Sequence, residues 1–302
     1  DHYDQEGNIS VYKNNSVLPI GYMAKEDILD YDTEDNGPFT VQNELCDALS
    51  GVEPIFVSIY DDMQLETYGT NVNVELSEGF NANYTNGSAS ARADMIFTIP
   101  RDMDLYVNCR GSNVHKIALL IDGNEVAFDR YQGQIFRVGN VKAGQMVDVQ
   151  FVLNDGEDMS GSIYCYPMEF LPDQFDQFYD AMADETLTVT KYKDSKIEGS
   201  IHVKEDGIFM TSIPYDDGWT IYAIGEKLDS LVVLEGFLGA ELPAGDYDMK
   251  LVYHCPGLRK GLLATLLGII CFFIIYKMEQ HMRTKRVIRK EIVYEVEGQG
   301  NV

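Results

Sequence analysis

The sequence is short of positive charge. Lys and Arg number 23 against 49 Asp and Glu, a formal net charge of −26 over 302 residues. Such a chain repels phosphates, which argues against nucleic acid as a partner. It has 5 His, 5 Cys and 1 Trp, and none sits in a CxxC pair, an HExxH run or a GxSxG turn. No glycine-rich phosphate cradle occurs either, so the local signatures of zinc sites, metalloproteases and serine nucleophiles are missing. The pattern calls for no cofactor and no metal. The chain opens at Asp1 without Met, basic leader or apolar leader, and reads as a mature chain or a fragment. What it does have is bulk. Apolar residues make up 45% and aromatics 11%, enough to bury real cores and to exclude wholesale disorder.

The charge is unevenly spread. From Arg259 to Val302 there are 8 Lys/Arg and 4 Asp/Glu, which leaves 15 and 45 for the preceding residues. An acidic body is joined to a short basic tail, and the join is the most apolar stretch of the chain. Gly261 to Tyr276 reads GLLATLLGIICFFIIY, with no charge. Its length as helix is about 24 Å, a little short of a hydrocarbon core of about 30 Å. Arg259, Lys260 and Lys277 close the gap by extending their stems to the headgroups, so Leu258 to Met278 spans about 31 Å. The run is apolar all round, which suits lipid better than a soluble core. Lys277, Arg283, Lys285, Arg286, Arg289 and Lys290 follow it. The positive-inside rule then predicts residues 1–258 outside the cell and the C-terminus in the cytoplasm.

Four cysteines lie outside the span: Cys46, Cys109, Cys165 and Cys255; Cys271 lies within it. Cys109 continues the alternation Leu105, Val107, and Cys165 follows Ile163 at strand spacing. In an oxidising exterior, a Cys109–Cys165 disulfide and two buried thiols are both open readings.

Helical signals are few. Asn36-Gly37-Pro38, then VQNELCDAL and Gly51, predicts one short helix with proline in its first turn and glycine at its end. A second runs from about Pro172 to Ala183, with Phe175, Phe178, Tyr179 and Met182 on one stripe for packing against a sheet. Most of the remainder alternates as strands. Ile117 to Ile121 runs into Asp122-Gly123, a hairpin signal, and Trp219, Ile221 and Ala223 run into Gly225-Glu226. Ala118 to Phe151 and Thr220 to Tyr253 form a faint repeat: strand, glycine turn, strand, Ala-Gly, strand. Two tandem β-sandwiches produce this pattern, and so does convergent hairpin chemistry.

Two motifs go beyond pattern. One is Tyr12-Lys13-Asn14-Asn15-Ser16-Val17-Leu18-Pro19-Ile20-Gly21-Tyr22, followed by Pro38-Phe39 and Gln42-Asn43. The other is Thr211-Ser212-Ile213-Pro214-Tyr215-Asp216-Asp217-Gly218-Trp219, leading to Leu242-Pro243-Ala244-Gly245 and Tyr253-His254-Cys255-Pro256-Gly257-Leu258. In this order the motifs resemble the C-terminal part of the YfhO family of bacterial multi-pass membrane proteins, over residues 8–277. The family's second hairpin usually carries Asp-Gly where this chain has Ile224-Gly225, and a second proline often stands where Cys255 does. The resemblance implies a membrane glycosyltransferase of the C-type fold, using lipid-linked sugars, in glycosylation of lipoteichoic acid or a related envelope polymer. Such enzymes hold their catalytic carboxylates in early outer loops among many spans. No catalytic residue is therefore carried over to this chain.

Two constellations are candidates for binding. Tyr215, Asp216, Asp217 and Trp219 combine an aromatic face for sugar C–H surfaces with carboxylates for hydroxyls. Against this, Pro214 to Gly218 reads as a turn, with Trp219 as a core anchor heading its strand. Leu18, Pro19, Ile20, Gly21 and Tyr22 form an apolar docking segment in a polar stretch, or else pack on the chain's own sandwich. Asp30, Asp32, Glu34 and Asp35 lack the glycine and late glutamate of a calcium loop, Val41 standing at the twelfth place. They read as a solvated acidic loop.

The sequence thus predicts a mainly β chain of two tandem β-sandwich (jelly-roll-like) modules with a few short helices, then one transmembrane helix. The expected divisions are 1–40, an N-terminal segment packing on the sandwiches; 41–170, the first module; 171–258, a linking helix and the second module; 259–278, the membrane helix; and 279–302, a basic tail. The expected function is an extracytoplasmic accessory region of a YfhO-like glycosyltransferase. Its expected partners are the lipid bilayer, an upstream transmembrane region of the same protein, and a cell-wall polysaccharide or teichoic acid acceptor. The competing function is a stand-alone, membrane-anchored carbohydrate-binding sandwich without enzymatic activity.

Overall fold

The computed structural model describes residues 2–6, 9–32, 37–59, 63–68, 72–76, 81–86, 91–128, 133–154 and 159–298. Glu34 and Asp35 of the acidic loop lie outside them. The N-terminal part supplies a hairpin, β1 (His2–Glu6) and β2 (Ile9–Tyr12), and then a short strand, β3 (Gly21–Ala24). Helix α1 (Pro38–Ser50) follows, with Pro38 in its first turn and Gly51 as a left-handed cap at φ +70°.

The first sandwich is built from β4 (Phe56–Ser58), β5 (Gln64–Tyr68), β6 (Val72–Leu76), β7 (Asn81–Asn86), β8 (Arg92–Thr98), β9 (Met103–Gly111), β10 (Val114–Ile121), β11 (Asn124–Phe128), β12 (Ile135–Val141), β13 (Met146–Leu153) and β14 (Met159–Phe170). One sheet runs β11-β10-β13-β8-β5 and the other β12-β9-β14-β7-β6, with β4 also on β14. Met95, Phe97, Leu105, Val149, Phe151 and Ile163, all at alternate strand positions, fill the space between them.

Helix α2 (Pro172–Asp184) leads into the second sandwich: β15 (Thr188–Lys193), β16 (Lys196–Val203), β17 (Gly207–Pro214), β18 (Trp219–Ala223), β19 (Glu226–Lys227), β20 (Leu231–Val233), β21 (Phe237–Leu242) and β22 (Gly245–Tyr253). Its first sheet, read as β19-β18-β22-β16-β15, repeats the order of β11-β10-β13-β8-β5 strand for strand. The repeat in the sequence is thus a duplicated topology. Both hairpins turn with positive φ at two successive residues, Asp122 (+48°) and Gly123 (+80°) in one, Ile224 (+50°) and Gly225 (+83°) in the other.

The facing sheet of the second sandwich runs β20-β21-β17-β3. In the first sandwich the strand beside β9 is β14, which directly follows β13. In the second, the strand beside β17 comes from the N-terminus, because the chain after β22 leaves as a helix. β3 pairs antiparallel with β17, Gly21 opposite Thr211 and Ala24 opposite Ile208.

The two helices wedge between the sandwiches. On one side, Phe39 and Cys46 of α1 pack with Ile55 and Phe56, joined by Tyr106, Phe170 and Phe175. On the other, Leu49 and Met182 pack with Ile28, Ile208, Met210 and Val233. Asn43 fastens α1 to β4: its amide nitrogen donates to the Phe56 carbonyl (2.8 Å) and its oxygen accepts the Phe56 N–H (2.9 Å).

Helix α3 (Leu258–Gly298) ends the described chain. Within its stretch Leu258–Arg286, 29 residues long, the most apolar window of 18 has mean hydropathy 2.1, long and apolar enough to cross a membrane. Its first part is exposed throughout, as a lipid-facing helix would be. At 1.5 Å per residue the whole helix is about 60 Å long, so the basic tail continues as helix beyond a hydrocarbon core of about 30 Å.

Candidate functional site

The motif Tyr215 to Trp219 lies where the second sandwich meets α3. β17 ends at Pro214 and β18 begins at Trp219, so the motif is the connection between the two facing sheets. Asp216 shapes it: its Oδ1 accepts the Gly218 N–H (2.7 Å) and its carbonyl accepts the Trp219 N–H (2.9 Å). Gly218 is required for space, since a Cβ there would stand 2.6 Å from both the His254 carbonyl oxygen and the Tyr253 ring. The Gly218 carbonyl accepts the His254 N–H (2.8 Å), which ties the turn to the residue just after β22.

Trp219 lies opposite Tyr253 in the β18–β22 pairing, with ring centroids 5.2 Å apart. It is half-buried against the core that contains Ile221 and Leu251, as is Tyr215. Its indole therefore closes the open end of the sandwich and keeps one margin in solvent. Asp217 is exposed, and its Oδ1 accepts a long hydrogen bond from the Tyr215 hydroxyl (3.4 Å). Burial first, and then the Asp216 carboxylate, raise the Tyr253 phenol above its ordinary value. The structure brings Tyr215, Asp216, Asp217 and Trp219 together and adds Tyr253. Tyr253 escaped the sequence reading because it sits in a separate motif. The signal that could have found it was its place in the repeat, which pairs the last strand with the hairpin strand.

The apolar N-terminal segment is used inside the molecule. The Ile20 carbonyl accepts the Ser212 N–H (3.0 Å) and the Gly21 carbonyl accepts the Leu187 N–H (2.8 Å). Gly21 is buried, with its α-carbon so close to Phe209 that a Cβ would stand 2.7 Å from the ring. Leu18 and Tyr22 pack with the interdomain cluster and Ile20 with the second core. Pro19 is half-buried between them in the chain.

Two further features were not singled out by sequence. A cleft of about 490 Å³ at the other end of the second sandwich is lined by Asp184, Thr188, Ser200, His202, Asp246 and Asp248. His202 Nδ1 and Asp246 Oδ1 meet there at 2.7 Å. On the outer face of the first sandwich, Asp94 is 1% exposed beside Arg92, whose Nε is 2.7 Å from its Oδ1. The Arg92 guanidinium also lies 4.3 Å above the Tyr68 ring. Desolvation, then the Asp148 charge, push the Asp94 carboxyl up to about 6, against the pull of Arg92. Among the described residues no group of His, Cys, Asp and Glu is arranged to hold a metal ion.

Comparison with known proteins adds the following. The family profile described as bacterial membrane protein YfhO matches residues 1–265. No curated protein gives a significant match. Among solved structures, a CBM36 domain of a multidomain xylanase from the hindgut metagenome of Trinervitermes trinervoides is 11% identical. It covers 36% of this chain and 98% of its own, with a TM-score of 0.24. A carbohydrate-binding module CBM36, solved with calcium and xylotriose, is 15% identical over 38% of this chain and 98% of its own, TM-score 0.23. The arabinofuranosyltransferase AftD from mycobacteria is 9% identical over 74% of this chain and 27% of its own, TM-score 0.25. These scores lie well below those of a shared overall fold.

Proposed function

The chain belongs to the YfhO family of bacterial membrane proteins, and on that premise we propose that residues 1–258 form an extracytoplasmic accessory region of a membrane glycosyltransferase. It positions an acceptor polymer, lipoteichoic acid or another envelope polymer, over a membrane-embedded active site formed by an upstream transmembrane region of the same protein. The observation that carries this reading is the junction with α3. β22 ends at Tyr253 and α3 begins at Leu258. Even fully extended, that connection reaches no more than about 18 Å. It is also hydrogen-bonded at both ends, His254 N–H to Gly218 and Leu258 N–H to the Cys255 carbonyl. The second sandwich would then be held close above the span, with the Tyr215–Trp219 turn at the end of it that leads into α3. A sugar bound by Tyr215, Asp217 and the Trp219 margin would be presented at headgroup level.

The orientation is supported by the basic residues that follow the span. An impermeant thiol reagent on intact cells tests it, in a Cys255→Ser background. Exposed Lys193→Cys should label without permeabilisation and Thr284→Cys should not; the reverse pattern overturns the orientation. The site is tested in cells by the pair Tyr215→Phe and Asp217→Asn, which leaves the turn bonds of Asp216 intact. Glycosylation of the envelope polymer should fall at an unchanged membrane level of the protein. Unaltered glycosylation at equal protein level would sink the assignment.

A further inference from the structure

We propose that Cys109 and Cys165 are joined by a disulfide in the mature protein, formed by exchange with an extracytoplasmic dithiol/disulfide oxidoreductase. The oxidising compartment rests on the outward orientation proposed above; the pairing itself rests on backbone register.

β9 and β14 are neighbours in the middle of their sheet, with Cys109 directly opposite Cys165. Two kinds of opposed pair alternate along antiparallel strands, and the one without mutual hydrogen bonds brings Cα atoms to about 4.5 Å. The hydrogen bonds show which kind this is. The Cys109 carbonyl accepts the Gly133 N–H (2.7 Å), on the β12 side. The Ser112 N–H, of opposite parity, donates to the Ser162 carbonyl (2.9 Å), on the β14 side. Cys109 therefore points its backbone groups away from β14 and forms a non-hydrogen-bonded pair with Cys165. That spacing lies at the short end of the roughly 4.4–6.8 Å Cα window of disulfides. In the structure both cysteines are free thiols with their Sγ atoms 3.6 Å apart, in contact and already facing each other. Both residues are buried, Cys109 at 8% and Cys165 at 0% exposure. Each thiol has the other as its neighbour in an apolar core, and the contact and burial push the Cys165 thiol well above its ordinary range. Buried in the folded sheet, the two thiols are out of reach of a protein carrier, so exchange precedes closure of the sheet, as the chain emerges.

The step balances as follows. The Cys109 thiolate attacks the carrier disulfide and releases one carrier thiol, leaving a mixed disulfide. The Cys165 thiolate then attacks Cys109 Sγ and releases the second. The pair loses two protons and two electrons, and the carrier leaves as a dithiol. The closed ring encloses β10 to β13 and staples the central strands of one sheet of the first sandwich. The corresponding strands of the second sandwich, β3 and β17, contain no cysteine.

The test is made on the full membrane-bound chain, quenched with acid, denatured without reductant and alkylated with a maleimide. Cys46, Cys255 and Cys271 should be modified, and Cys109 and Cys165 only after reduction. A linked peptide two hydrogens lighter than the reduced pair should be recovered. Alkylation of all five cysteines without reductant would overturn the disulfide. The Lys193→Cys label separates the two readings. Free Cys109 and Cys165 in protein labelled from outside defeat the disulfide alone; label reached only after permeabilisation defeats the orientation, whatever the state of the pair.

Discussion

Trp219 and Tyr253 face each other across β18 and β22 and together close the end of the second core that meets the membrane helix. The contact joins the turn that carries Asp216 and Asp217 to the strand that leads into the span. Removing the indole opens this end. Trp219→Ala should cost about 1–3 kcal/mol, less than a fully buried Trp because one margin is already in water. Trp219→Phe should recover most of it. Urea unfolding with both variants reads this out, and an unchanged midpoint for Trp219→Ala would show that the ring serves binding alone.

Ile224 is a β-branched residue held at φ +50° and 65% exposed, in a turn whose counterpart carries Asp122. Its conformation is unfavourable for its side chain and nothing buried rewards it. Ile224→Asn should raise stability by about 1 kcal/mol, since Asn tolerates the left-handed region. A lowered thermal midpoint would contradict this account of the turn.

Gly21 allows β3 to approach the Phe209 ring, which is 0% exposed and has nowhere to move. Gly21→Val should destabilise the second sandwich by about 1–3 kcal/mol or detach β3 altogether. Hydrogen exchange at Ser212 and Leu187, whose N–H groups donate to the Ile20 and Gly21 carbonyls, distinguishes these outcomes from no effect. Unchanged protection there would show that β3 is dispensable.

Asp94 makes stability depend on pH in an unusual direction. Its folded value of about 6 exceeds the ordinary 3.8, so the folded chain holds this proton more tightly than the unfolded chain. The penalty is absent below the unfolded value, grows as pH rises, and is complete above the folded one, to at most about 3 kcal/mol. Relative to Asp94→Asn, the wild-type protein should therefore lose stability between pH 4 and pH 6 and run parallel above that. Parallel curves across the whole range would show that Arg92 fully compensates the charge.

Much of this was legible from local pattern. The Asp122-Gly123 turn, the stripe of α2 and the uncharged run before Lys277 each depend on neighbours in sequence, so periodicity reveals them. Trp219 was legible as an inward residue because Ile221 and Ala223 share its parity, but its solvent-facing margin follows from where the sheet ends. The role of Gly21 was not legible, because its partners Thr211 and Phe209 stand far along the chain. Asp94 occupies the solvent-facing parity of β8 and is buried by Arg92 and its strand neighbours, a lateral effect that alternation does not encode.

The amino-acid order by itself determined most of the later strands, the two glycine hairpins, the ends of α1 and α2, the apolar run and the faint repeat, since each arises from side-chain period, turn chemistry or charge within a short window. The tertiary structure alone decided which strand completes the second sandwich, that both helices lie between the sandwiches, and that Cys109 faces Cys165. Those outcomes depend on pairings between distant segments, where many registers satisfy the same alternation and only simultaneous burial of both faces selects one.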